Sequence, residues 1–187
     1  MLASKYVALA GVSLCAAGAH ADFIFGEPIT ILTNGTTASI TFLAARANWT
    51  GVLFHANPAQ PASMGTALFQ NMSARPGDTR ALGIFAADDT VTFNYRVSTG
   101  TRNDWRMATT PDHFGLEMLD PRTVVVHVED MPMHISDRDY DDCVAVVRFS
   151  ADVRLGRGSG EENPTPTPGT AALIALGLAA GGSRRRR

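Results

Sequence analysis

The sequence is poor in cysteine, in long apolar runs and in recognisable catalytic motifs, and each shortage narrows the reading. Only two of the 187 residues are cysteine. Cys15 falls within an N-terminal segment of secretory form, and Leu14 stands before it where a lipoprotein signal requires a small residue. Cys143 is then alone, no internal disulfide can form, and stability must come from core burial or from bound ions. Cys143 itself is expected to be a buried strand residue. No Ser sits in a GxSxG elbow, no Gly-rich phosphate loop appears, and the carboxylates are crowded rather than set in two separated environments as acid/base chemistry needs. His20, His55, His113, His127 and His134 are too scattered for a spacing such as HExxH. No enzymatic role is expected.

Positive charge is also scarce. The formal net charge of the whole chain is −2, and removing Lys5 with the signal and Arg184 to Arg187 with the tail takes five positive charges and no acid, leaving −7. An acidic chain without a basic patch argues against nucleic-acid binding and against docking on anionic lipid.

The N-terminal segment carries Lys5, an apolar run from Tyr6 to Ala17, and Ala19-His20-Ala21, which supplies the small residues of a signal-peptidase site at Ala19 and Ala21. Residues 1–21 are therefore expected to be a helical signal peptide, with the mature chain starting at Asp22. At the other end, Arg154 to Pro168 has linker composition, so 154–165 is read as linker. Ala171 to Gly182 is apolar, and Arg184 to Arg187 closes the chain. As a helix those twelve apolar residues span about 18 Å, short of a hydrocarbon core of roughly 30 Å. A transient span with its arginines held on the cytoplasmic side is the expectation.

The three-part order of residues 166–187, Pro166-Thr167-Pro168-Gly169-Thr170, a short apolar helix and an Arg cluster, resembles the PEP-CTERM sorting signals of Gram-negative envelope proteins. That resemblance implies cleavage near the proline motif by a membrane transpeptidase, an exosortase, and release or attachment at the cell surface. Thr167 stands where the family's motif has Glu, which leaves the sorting-enzyme variant open. A plain C-terminal anchor or an unstructured end is the alternative.

Between these ends, residues 22–153 read as short β-like runs separated by turn residues, without an amphipathic helix of convincing length. The clearest run is Thr90 to Val97, where Val91, Phe93, Tyr95 and Val97 alternate with polar neighbours. Others are Ile29 to Leu32, Ser39 to Ala44, Thr50 to Phe54, Ala81 to Phe85, Phe114 to Met118, Thr123 to Val128 and Cys143 to Phe149. Asn34-Gly35, Pro58 to Pro61, Pro76-Gly77-Asp78, Ser98-Thr99-Gly100 and Asp120-Pro121 are turn signals. The segment Asn57 to Ser73 leaves strand, short helix and loop open. The expected fold is all-β, an antiparallel sandwich of about eight strands, jelly-roll-like.

Val124 to Phe149 organises the rest, because two β-rich runs flank fourteen residues, Glu129 to Asp142, that hold six acids against Arg138 alone. A hairpin loop that long needs something to order it. Crowded carboxylates repel one another unless protons or a cation intervene, and hard oxygen donors suit calcium, which takes about six to eight oxygens at 2.3–2.6 Å. The loop is not an EF-hand, since position six of that register is Asp142 rather than Gly and position twelve is Arg148 rather than Glu. A transition-metal site using His127 and His134 fits an oxygen-rich set less well. The competing reading is a solvated turn in which Arg138 pairs with a neighbour and Asp142 caps a strand end.

The stretch VEDMPMHISDRDYDDCVAVV resembles the ED…DRDYNDVV signature of a β-rich family of bacterial surface proteins, the domain of unknown function forty-one fourteen, and Asp112-His113-Phe114 fits the approach to it. The resemblance implies that Glu129, Asp130, Asp137, Asp139 and Asp142 are the family's acidic positions and ligate calcium. Asp141 stands where Asn is usual, and the loop lacks the family's glycines. Tyr140 is expected either to pack beside the site or to be exposed. Trp49 and Trp105 are expected to fill the core, or else to form a platform for extracellular polysaccharide. The combined expectation is an exported protein of the cell surface or extracellular matrix.

Overall fold

A computed structural model describes residues 23–156, apart from 48, 58, 61–62, 99–104, 109–110 and 132–135. The expected signal segment with Ala19 and Ala21, most of the expected linker, the motif from Pro166 to Thr170, the helices expected at both ends and the side chain of Trp105 lie outside the described residues. What is described is antiparallel β-sheet with one 3-10 turn, Pro111–His113. None of its helices is long and apolar enough to cross a membrane.

The largest sheet has six strands. In spatial order they are β1 (Ile24–Phe25), β10 (Phe114–Asp120), β11 (Thr123–Val128), β12 (Cys143–Phe149), β3 (Thr36–Ala44) and β6 (Thr79–Phe85). A three-stranded sheet joins β13 (Val153–Leu155), β2 (Ile29–Ile31) and β7 (Thr90–Val91). A four-stranded sheet joins β5 (Thr66–Gln70), β4 (Thr50–His55), β8 (Phe93–Ser98) and β9 (Trp105–Ala108).

The valine-rich runs form the centre of the large sheet because a strand buried on both faces needs apolar residues at consecutive positions, not alternate ones. Val124, Val125 and Val126 are each at most 1% exposed. Val124, Val126 and Val128 join the main core with Ala145 and Val147, while Val125 and its cross-strand partner Val146 are buried on the other face. That core is a single cluster drawing on all three sheets: Ile40 and Phe42 from the first, Ile29, Ile31 and Val91 from the second, Leu53, Phe69 and Tyr95 from the third. The Phe42 and Phe69 rings meet across it at 5.7 Å.

Two features depart from the sequence reading. The run Thr90 to Val97 is broken at Thr92, so β7 pairs with β2 and β8 pairs with β4, and one alternating stretch serves two sheets. Val91, Tyr95 and Val97 are buried as the alternation requires. Strand β13 takes in Arg154 and Leu155, which composition assigned to the linker, because Leu155 pairs with Ile29 and the Gly156 carbonyl accepts a 2.7 Å hydrogen bond from Thr30. The open segment Asn57 to Ser73 contains β5, closed by a turn after Gln70. Asn71 is buried there and fixes the start of β4, accepting from the Gly51 N–H and donating to the Trp49 carbonyl, both at 2.9 Å. Gly51 has no room for a Cβ, because the Tyr95 ring lies directly on its backbone.

Candidate metal centre

Strands β11 and β12 pair in register from Thr123↔Arg148 to Val128↔Cys143, so they form a hairpin. Its loop begins and ends side by side, which places Glu129 and Asp130 next to Asp142. Glu129 is completely buried, Asp130 is 6% exposed and Asp142 is 8% exposed. Carboxylates at such depth need compensation, since an unpaired buried charge costs several kcal/mol.

The backbone supplies part of it. The Asp130 N–H donates to Asp142 Oδ2 at 2.7 Å, and the Met131 N–H donates to Glu129 Oε1 at 3.0 Å. The Glu129 N–H is in turn tied to the His113 carbonyl at 3.0 Å. These bonds orient the carboxylates without neutralising them. Glu129 Oε2 and Asp130 Oδ2 are sealed from solvent and have no hydrogen-bond partner among the described residues.

The outer part of the loop is shaped by two residues in the left-handed region, Arg138 at φ 58° and Tyr140 at φ 53°. Neither is glycine, so each costs roughly 1–2 kcal/mol, which the surroundings must outweigh. Tyr140 shows how. Its hydroxyl donates to the Asp112 carbonyl at 3.0 Å, and its ring lies 5.5 Å from Phe23 and 5.2 Å from Phe25. The expectation that Tyr140 packs beside the loop is met, and its burial fixes the residues on either side. Asp141 turns away to Arg46, with Oδ2 3.5 Å from Nη1 and its carbonyl accepting from the Arg46 N–H at 2.9 Å. Asp139 stays exposed but brings a carboxylate oxygen close to those of Glu129 and Asp142.

One carboxylate oxygen each from Glu129, Asp139 and Asp142 all lie within 4.8 Å of one another. Oxygens sharing a cation at 2.3–2.6 Å can be at most about 5 Å apart, so the three can ligate one ion together. Asp130 and Asp137 do not join that set, although both line the cavity in front of it. The cavity encloses about 120 Å³ and is bounded by Arg46, Trp49, Asp130, Met131, Asp137, Asp139 and Asp142. Of the five acids expected to form one site, the structure thus brings together three and lines the adjoining space with two. Arg46 and Met131 were not foreseen. Arg46 arrives through the β12–β3 pairing, in which Val144 faces Ala44, and no local sequence signal marks it.

Burial pushes the Asp130 carboxyl up to about 8, with the charges of Asp142 and Glu129 adding to the effect, and burial pushes Asp142 up to about 6. Cys143, fully buried in the core, has its thiol pushed up to about 12 by burial first and by Asp142 second, which keeps it unreactive. The raised carboxyl values have a stability consequence. A native state that holds protons more tightly than the unfolded chain gains a contribution that is complete below the ordinary value of 3.8. It is lost as pH rises through about 6 for Asp142 and about 8 for Asp130. In chelator the melting temperature should therefore fall between about pH 5 and about pH 8.5, and calcium should flatten that fall. Thermal melts across that range check it, and a chelated protein that gains stability toward pH 8.5 would contradict it.

Comparison with models of known protein families and with curated proteins finds no match to this chain.

Proposed function

We propose that this is an exported, non-enzymatic protein of the Gram-negative cell surface or extracellular matrix, in which calcium bound by the Glu129–Asp142 loop orders the β-domain for a structural or adhesive role. The observation that carries it is Glu129, which is wholly buried, has one carboxylate oxygen unpaired among the described residues, and places a carboxylate oxygen within 4.8 Å of one each from Asp139 and Asp142. Anionic oxygens fit a hard divalent cation, and calcium tolerates the irregular geometry of a loop better than magnesium does. Bound there, the ion would offset part of the negative charge of the acids and tie the end of β11 to the start of β12. The finer fold belongs to the same reading: the three sheets close as a jelly-roll-like sandwich, preceded by a signal helix and followed by a short apolar helix.

The address rests on Ala19-His20-Ala21 and on the resemblance of residues 166–187 to PEP-CTERM tags, with signal peptidase and an exosortase-type enzyme as processing partners. Mass spectrometry of the protein recovered from expressing cells tests it. The expected product starts at Asp22 and lacks the Arg184 to Arg187 cluster, whereas an intact chain retained in the cytoplasm would refute export.

A second reading, a carbohydrate-binding module for extracellular polysaccharide, is favoured by Trp49, which is half-buried and borders the same cavity. Aromatic faces beside a calcium ion suit sugar rings. Glycan-array binding that disappears in Trp49→Ala while calcium binding persists would select this reading, and an empty array would remove it.

A further inference from the structure

We propose that the cavity holds a second divalent cation next to the first, carried by Asp130 and Asp137. The inference rests on reading Glu129, Asp139 and Asp142 as the first site, and four observations lead beyond that reading.

The space is larger than one ion needs. A cavity of about 120 Å³ faces the acids, against a share of about 30 Å³ for one water in the liquid. The donors are also too dispersed for one ion. Asp130 and Asp137 line the cavity, yet their oxygens fall outside the set that lies mutually within 4.8 Å. A single calcium with bonds of 2.3–2.6 Å cannot draw in all five without remodelling the loop.

Asp130 has its own unmet need. Its side chain is only 6% exposed, lines the cavity, and has Oδ2 without a hydrogen-bond partner among the described residues. Its N–H is already committed to Asp142 Oδ2, which sets it directly beside the first ligand set. A buried carboxylate oxygen in that position calls for a positive charge of its own.

Charge balance points the same way. When all are ionised, Glu129, Asp130, Asp137, Asp139 and Asp142 bring five negative charges to the site. Arg46 is engaged by Asp141, so that pair cancels. One divalent ion leaves three negative charges facing one small space, and a second leaves one. Asp130 and Asp137 would supply the fixed oxygens of the second ion, with water filling the rest of its shell, as exposed calcium positions commonly allow.

The test is to count calcium bound per purified full-length chain, by equilibrium dialysis with elemental analysis and by calorimetric titration. The expected result is two ions for the wild type and one for Asp130→Asn/Asp137→Asn, with the calcium-induced rise in melting temperature largely kept in the variant. Asp137→Asn alone, at an exposed position that does not threaten folding, should weaken only the second step, by about tenfold or more. One ion in the wild type overturns the second site and leaves the first intact. Two ions in both wild type and double variant overturn the assignment to these residues. No bound ion overturns the first site and this one together.

Discussion

Saturating calcium should raise the melting temperature of the purified protein by about 10 °C, and chelator should reverse the rise. A ligand present at a hundredfold excess over its dissociation constant contributes about 2.7 kcal/mol, and for a domain of this size each kcal/mol moves the midpoint by roughly 3–5 °C. Most of that gain should vanish in Asp139→Asn. Asp139 is exposed and lies outside the hydrophobic core, so the variant removes a ligand charge without opening the core. Sequence alone gave Asp137 equal weight. The geometry separates the two, because Asp139 is in the mutually close set and Asp137 is not. Differential scanning calorimetry with and without chelator reads the effect, and identical midpoints in the two conditions would contradict it.

Replacing Glu129 with Gln should change stability in opposite directions depending on whether calcium is present. Glu129 is fully buried, with Oε1 accepting from the Met131 N–H and Oε2 unpaired among the described residues. Gln keeps the shape and the acceptor but removes the charge. In chelator, Glu129→Gln should be more stable than the wild type by about 1–3 kcal/mol, because an uncompensated buried charge is gone. In calcium it should be less stable, because the innermost ligand is lost. Urea denaturation in both conditions provides the comparison. A variant that is destabilised equally with and without calcium would mean that Glu129 is held by something other than an ion.

The contrast between these two positions reflects what a sequence can convey. The hairpin was legible because Thr123–Val128 and Cys143–Phe149 are dense in β-branched residues and bounded by turn or acidic residues, and both strands have the expected limits. Turns at Asn34-Gly35 and Pro76-Gly77-Asp78 were legible for stereochemical reasons, with Gly35 and Gly77 at φ 76° and 95°. Strands β1, β9 and β13 were not, since two to four residues are too few to display a period.

Within the loop, a crowd of acids was visible but its division was not. Which carboxylate points inward depends on the left-handed backbone at Arg138 and Tyr140, and residues with a Cβ give no sign of that conformation in advance. Tyr140 is held there by Phe23 and Phe25, more than a hundred residues earlier in the chain. The placement of Trp49 and Arg46 at the cavity likewise follows from β3 lying against β12.

The oxygens of Glu129, Asp139 and Asp142 lie close enough together to share one divalent ion. Crystals grown in calcium, measured for anomalous scattering, test it most directly. The account predicts an anomalous peak about 2.3–2.6 Å from an oxygen of each of the three residues. A map without that peak, in which the three carboxylates point apart into water, would contradict it.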